Sequence, residues 1–233
     1  MFTAYPTLKK HFAALRTGAE FFSLRHVCEA GQYLAVRKNV AAPPSLSRDE
    51  GAMLTARVNG VEAYAATNDL SLAGLQAALD RAEHQARAIA AHALLDLRQQ
   101  AVSSERADYL SPNLDQAFPS LKDCYQVLAD ESAAVPRDER LVSWEASLGI
   151  RHVEQIYLNS AGAELRQAQR FIFPGLEVTA YDGSDSQTRT LGRENFGQQG
   201  GAEVLGRAGL IGAAPRIADQ ALQLLLAPNT PHG

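Results

Sequence analysis

Three observations predict an α+β fold, an antiparallel or mixed sheet built from hairpins and packed against long helices. Asn59-Gly60 supplies two positive-φ positions between the runs Met53–Val58 and Val61–Ala66, which marks a tight β-hairpin. From Ser71 onward, Leu72, Leu75, Leu79, Ala82, Ala86, Ile89 and Ala93 recur at three- and four-residue steps, the period of one helix face. Between Leu141 and Ile150 the apolar residues alternate with polar ones, the pattern of a sheet solvated on one side. Strands arriving in consecutive hairpins, each group followed by a long helix, favour this class over a doubly wound parallel sheet.

Taken in order, Thr7–Arg16 reads as a short helix. Phe21–Cys28 and Gln32–Val40 read as strands around a tight turn at Glu29-Ala-Gly31. Ala41–Ser47 is rich in proline, which cannot join a central ladder, so it is expected to be an exposed connection. The 53–66 hairpin follows, and Ser71 is placed to cap the helix expected to run to Leu95. Residues 99–119 are polar and proline-punctuated, a surface connection between lobes at 1–100 and 119–229. A helix over Leu121–Ala133 stops before Pro136, and Leu141–Ile150 continues into Arg151–Leu158. The chain then turns at Asn159–Gly162 into a long strand ending near Tyr181, with a bulge or bend at Pro174-Gly175. Helices from about Ala202 and over Ala214–Leu226 close it, the second with a stripe of Ile217, Ala218, Ala221, Leu224 and Leu225.

Length and charge bound the function. The 233 residues suffice for one substantial core or two joined lobes. With 22 basic against 26 acidic residues the net charge is −4, which argues against an electrostatic grip on nucleic acid. No run approaches the roughly 20 apolar residues of a membrane span, and Met1–Pro6 lacks a basic n-region leading into an apolar stretch. The expectation is a cytoplasmic protein with neither nucleic acid nor membrane as partner.

The candidate chemistry is sparse. His84 and His92 sit eight positions apart on one helix, about 12 Å of rise, too far for a shared metal ion. His26 and Cys28 share one strand face but lack a third ligand nearby, so core packing is the better reading. Gly192–Gly201 is glycine-rich before a helix yet carries no Lys-Ser or Lys-Thr pair and no GxGxxG, so it reads as a hairpin-to-helix loop. Its Arg193 and Glu194 are candidate interface residues. Asp182–Ser186 reads as a turn. Asn68, Asp69 and Ser71 stand where helix N–H groups lack partners and are assigned to capping, with Asn59 and Gly60 forming the turn. Ser143 and Ser147 flank Glu145 on a solvated strand face. Leu210 and Ile211, in a Gly-flanked connection, are candidates for an exposed apolar contact.

Val58-Asn-Gly-Val, then Ala65-Ala-Thr-Asn-Asp-Leu-Ser71 and an Ala/Leu-rich helix, resemble the amino-terminal domain of TldD/PmbA-type metallopeptidases. Tyr109-Leu-Ser-Pro112, Val142-Ser-Trp-Glu-Ala146, Ile156-Tyr-Leu-Asn-Ser-Ala-Gly162 and Gln198-Gln-Gly-Gly-Ala202 follow in the order of that domain. The resemblance thus spans nearly all of residues 1–233. It implies peptide hydrolysis by the intact protein, with zinc held by a His-Glu-x-x-x-His motif placed after this domain, and a two-subunit particle. None of His11, His26, His84, His92, His152 and His232 forms that motif, so no catalytic or metal residue and no cofactor is expected in this chain itself. Two readings follow. The chain is the non-catalytic amino-terminal domain of a TldD-type zinc metallopeptidase, its carboxy-terminal catalytic domain lying outside this sequence, and it helps assemble a homo- or heterodimer and enclose peptide. Alternatively it is a standalone binding module that docks a TldD/PmbA-type partner.

Overall fold

The computed structural model describes residues 2–192 and 196–228. Its elements in order are α1 (Tyr5–Ala14), β1 (Phe21–Arg37), β2 (Val40–Ala41), β3 (Ser45–Val58), β4 (Val61–Thr67) and α2 (Leu72–Ile89). Then come β5 (Arg106–Leu110), α3 (Leu121–Ala133), β6 (Leu141–Asn159), β7 (Glu164–Tyr181), β8 (Ser186–Gly192), β9 (Gln198–Gln199), α4 (Glu203–Arg207) and α5 (Ala214–Leu225). Hydrogen-bonded neighbours follow the order β4-β3-β1-β6-β7-β5, with β2 on β1 and with β8 and β9 on β7. The β3–β4 and β7–β8 pairs are antiparallel and β5–β7 is parallel, so the fold is α+β with a mixed sheet.

The chain divides into two compact units, each drawn from three segments: residues 1–30, 48–110 and 153–169, and residues 31–47, 111–152 and 170–233. In the first unit, the hairpin forms as its residues dictate. Val58 pairs with Val61 across Asn59 (φ 50°) and Gly60 (φ 76°). Ser71 Oγ accepts the Gly74 N–H and opens α2. Leu75, Leu79 and Ala82 of α2 pack on Leu24, Leu54 and Ile156, the inward side chains of β1, β3 and β6. Helix α2 stops at Ile89, short of the expected Leu95, and passes into a 3₁₀ turn at Ala90–His92. Ala93 therefore falls outside the helix, Leu72 and Ile89 are exposed at its two ends, and Ala78 and Glu83 join the buried stripe. The expected surface connection at 99–119 contains β5, which lies parallel to β7 from Arg106↔Glu164 to Leu110↔Ala168. All five β5 residues are exposed, so no apolar alternation announced it.

In the second unit, α3 and α5 cover one sheet face through Leu128, Ile217 and Ala221, packed with Leu34, Leu148 and Leu176. Ser120 and Asp123 close a capping box that fixes the start of α3. No turn occurs at Glu29–Gly31, because β1 runs unbroken from Phe21 to Arg37. The reversal sits instead at Lys38 (φ 49°) and Asn39 (φ 65°), where the Ser132 hydroxyl accepts the Asn39 N–H at 3.0 Å and donates to its Oδ1 at 2.9 Å. Gly31 serves close approach within an extended strand, since a Cβ there would lie 2.6 Å from Ser47 Oγ. Strand β7 passes through Pro174-Gly175 without interruption, and its partner changes there from β9 to β8. Ser147 is buried, not solvated, and donates to the Gly175 carbonyl at 3.5 Å. Leu224 is more exposed than its place in the α5 stripe suggested, at 39%.

Candidate functional site

The hairpin-to-helix junction is held from within. The Glu20 carboxylate accepts the N–H groups of Asn59 at 3.0 Å and Gly60 at 3.3 Å, and the Gly60 carbonyl accepts Leu97 N–H at 2.8 Å. Asp69 Oδ1 accepts the Ser71 N–H at 3.0 Å, and its hydrogen bonds from Ser71 hold its pKa below the usual carboxylate range. Asp69 and Ser71 thus act on the helix start. Asn68 is exposed and faces a cavity described below.

His26 and Cys28 of β1 come out differently from each other. His26 is 1% exposed, with Nε2 3.0 Å from Glu50 Oε1, while its Nδ1 has no hydrogen-bond partner among the described residues. Glu50 also accepts from Arg48 at 3.1 Å; burial pushes its pKa up, and the Arg48 and His26 bonds outweigh that to hold it below the ordinary value. Burial, then the Glu50 carboxylate, push the Cys28 thiol up, which disfavours a reactive thiolate. The side chains do not fit a zinc site. Among the described residues no three His, Cys, Asp or Glu side chains converge on one point, short of the four ligands or three plus water that zinc takes.

The outer face of the sheet in the first unit is concave, a feature that sequence reasoning missed. Because side chains alternate along a strand, the residues of β1 that face away from α2 are Phe21, Ser23, Arg25, Val27 and Glu29. The first three line a cavity of about 620 Å³ and the last three one of about 450 Å³, so the two share Arg25. They also share Met53 of β3. Asp49, Glu50 and Asn68 border the smaller cavity, and Thr55, Arg57 and Tyr157 border the larger. At the centre Arg25 Nη2 donates to Gln155 Oε1 at 2.8 Å. Arg57 is occupied: it bonds Glu62 at 2.6 Å through Nη2 and the Leu97 carbonyl at 2.7 Å through Nη1. The available signal was the run of polar and charged residues at odd positions of β1 and β3, which reads as an ordinary solvated face.

In the second unit a buried Arg170, 3% exposed, gathers the loop before α3 and the glycines before α4. It donates to the carbonyls of Gly200 at 2.8 Å and Gln116 at 3.4 Å, and to that of Asn113, and stacks on Phe118 at 5.1 Å. Burial lowers its pKa, offset in part by the Glu203 carboxylate. Glu203 accepts Asn113 Nδ2 and the Gly201 N–H, each at 2.8 Å. Gly200 and Gly201 are thereby tied to their own unit. Of the interface candidates, Arg193 and Glu194 lie outside the described residues. Ile211 is exposed at 61%, but Leu210 is fully buried in the core, which corrects the expectation of an exposed contact there. Its backbone turns inward where Leu210 N–H bonds the Leu205 carbonyl at 3.1 Å.

No helix among the described residues is long and apolar enough to cross a membrane. Residues 24–86 match PmbA/TldA metallopeptidase domain 1. No curated protein matches the chain. Among solved structures, it is similar to a protein described as a candidate modulator of DNA gyrase from Thermotoga maritima, with a TM-score of 0.64 at 14% identity over 98% of this chain and 50% of that one. A second protein so described, from Bacteroides thetaiotaomicron, gives 0.63 at 14% identity over 95% of this chain and 48% of that one. TldE from Thermococcus kodakarensis gives 0.57 at 14% identity over 94% and 46%. The chain therefore spans about half the length of the solved structures it matches. The hairpin and helix matched at residues 24–86, together with the fold around them, show that this chain carries a TldD/PmbA-like domain.

Proposed function

We propose that this chain works as the amino-terminal, non-catalytic domain of a TldD-type metallopeptidase, helping to assemble a two-subunit particle and to enclose peptide substrate. The observation that carries the reading is the match of residues 24–86 to the first domain of that family. Alignment to only half of each solved relative supports a companion domain, and the likeness to TldE supports a TldD/PmbA-type subunit as partner. Zinc chemistry belongs to the companion domain on this reading, and no step of hydrolysis is assigned to His26, Cys28 or any other side chain here. A cytoplasmic location is in keeping with the two unpaired cysteines, Cys28 and Cys124.

Metal analysis after dialysis, with a peptide-cleavage assay on the same sample, tests the division of labour. The expected result is no stoichiometric zinc and no cleavage by the chain alone. One tightly bound zinc per chain, lost with activity in a His26→Ala, Cys28→Ala variant, would overturn it.

A further inference from the structure

Helix α2 stops where its own residues give no reason to stop. From Arg87 to Ala101 the chain contains neither glycine nor proline, and only Ile89, His92 and Asp96 fall outside the strongest helix formers. Lengthening a helix that already exists needs no new nucleus, so this run should carry α2 onward. Instead the 3₁₀ turn at Ala90–His92 leads into an extended Ala93 (φ −70°, ψ 132°), although alanine is the best helix former of all. Beyond it Leu94 and Leu95 are 98% and 76% exposed. A local preference overruled in this way needs a tertiary cause.

That cause lies at the β3–β4 turn. Leu97 N–H bonds the Gly60 carbonyl at 2.8 Å, and the Leu97 carbonyl accepts Arg57 Nη1 at 2.7 Å. Asp96 is extended and caps a second 3₁₀ turn, Leu97–Gln99, accepting the Arg98 N–H at 3.0 Å and Arg98 Nε at 2.9 Å. Gly60 admits this approach, since a Cβ there would overlap Asp96 Oδ1. These anchors and a longer α2 exclude each other. In a continued helix the Leu97 N–H belongs to the Ala93 carbonyl, four residues back, and Ala93 turns from ψ 132° to about −42°. Rotation at that one residue swings everything after it off the turn. Because hydrogen bonds are exchanged for hydrogen bonds, the two forms differ by little.

The anchored segment also walls a cavity. Gln100–Ser103 border the larger cavity of the outer sheet face, which Ser23 and Thr55 also line. Ser103 is held in turn, its carbonyl accepting Asn159 Nδ2 at 2.9 Å. Residues 93–102 therefore run between two held points, the end of α2 and Asn159.

We infer that residues 93–102 are a strap with a closed form, in which Leu97 docks on the Asn59-Gly60 turn, and an open form, in which α2 runs on to Leu95 and Gln100–Val102 leave the cavity. The device is independent of the function proposed above and operates whatever occupies the cavity.

The test is NMR of the chain with a gadolinium chelate as a soluble relaxation probe. In the wild type, carbon shifts should end α2 near Ile89 and mark Ala93 as extended. Asp96→Ala removes the cap and the grip on Arg98 and places a strong helix former at an exposed position. Helical shifts should then run through Leu95, a gain of about one and a half turns. Relaxation of the Thr55 methyl by the chelate should rise in step as the wall leaves. Adding Arg57→Lys keeps a charge beside Glu62 but loses the fork that also reaches the Leu97 carbonyl, and should favour the open form further. Ala91→Gly with Ala93→Gly, both exposed, should return the Asp96→Ala variant to the closed form, because glycine disfavours helix. Helical shifts through Leu95 in the wild type, or an α2 that still ends at Ile89 in both opening variants, would overturn the inference. So would an extension that survives the two glycines, or one without any rise at Thr55.

Discussion

Glu131 Oε1 accepts the Gly212 N–H at 2.5 Å, and its second oxygen accepts the Ala214 N–H at 3.2 Å. This carboxylate on α3, 5% exposed, therefore serves as the N-terminal cap that α5 lacks locally, since Ala213 offers no side-chain acceptor. Glu131→Ala leaves two N–H groups without their acceptor in a dry site and should cost about 1–3 kcal/mol. The exposed Glu139→Ala is the control, expected within about 0.5 kcal/mol of wild type. Urea denaturation of both variants checks the pair; equal midpoints would show that α5 starts without help from α3.

Leu79 is fully buried against the first unit's sheet, while Gln85 on the same helix is exposed. Leu79→Ala should destabilise by about 2–5 kcal/mol and Gln85→Ala should be near neutral. Arg87 is a poor control on this helix, because it pairs with the buried Glu83, which also accepts from Thr17 Oγ1 at 2.5 Å. Similar small losses for Leu79 and Gln85 in reversible denaturation would place the wrong face of α2 on the sheet.

Hydrogen bonds from Arg140 hold the Asp138 carboxyl at about 2. Its value in an unfolded chain is about 3.9. A carboxylate depressed on folding contributes stability that is fully present above the unfolded value and is lost as pH falls toward the folded one. The contribution of Asp138 should therefore fade between about pH 4 and pH 2. Carbon-detected NMR titration should find Asp138 titrating near 2, and Arg140→Ala should raise it toward the ordinary carboxylate range, the backbone N–H bond of residue 140 remaining. An unchanged midpoint in that variant would remove Arg140 as the cause.

What could be read from the sequence was whatever local chemistry decides. Asn59-Gly60 admits the positive φ of a tight reversal and Ser71 caps α2, so those elements stand where their residues put them. Gly31 misled because glycine serves a turn and a close strand approach equally well, and only Ser47 opposite it decides between them. Strand β5 was illegible because its register comes from β7, far along the chain, and its own five residues are all exposed. The larger cavity on the outer sheet face was illegible for a related reason: Ser23, Arg25 and Thr55 look like any solvated strand face until β6 and the segment at Gln100–Ser103 wall them in. Leu210 was misplaced because flanking glycines signal a turn without saying which side chain the turn carries inward.

On the function proposed above, this domain acts by joining a companion. The most direct measurement is sedimentation velocity of the purified chain mixed with a separately expressed TldD-type catalytic half, with zinc content and peptide cleavage followed in the same fractions. A faster-sedimenting complex is expected, in which zinc and cleavage track the companion and depend on its being present. A chain that stays monomeric in the mixture, or that carries zinc and cleaves peptide by itself, would contradict it.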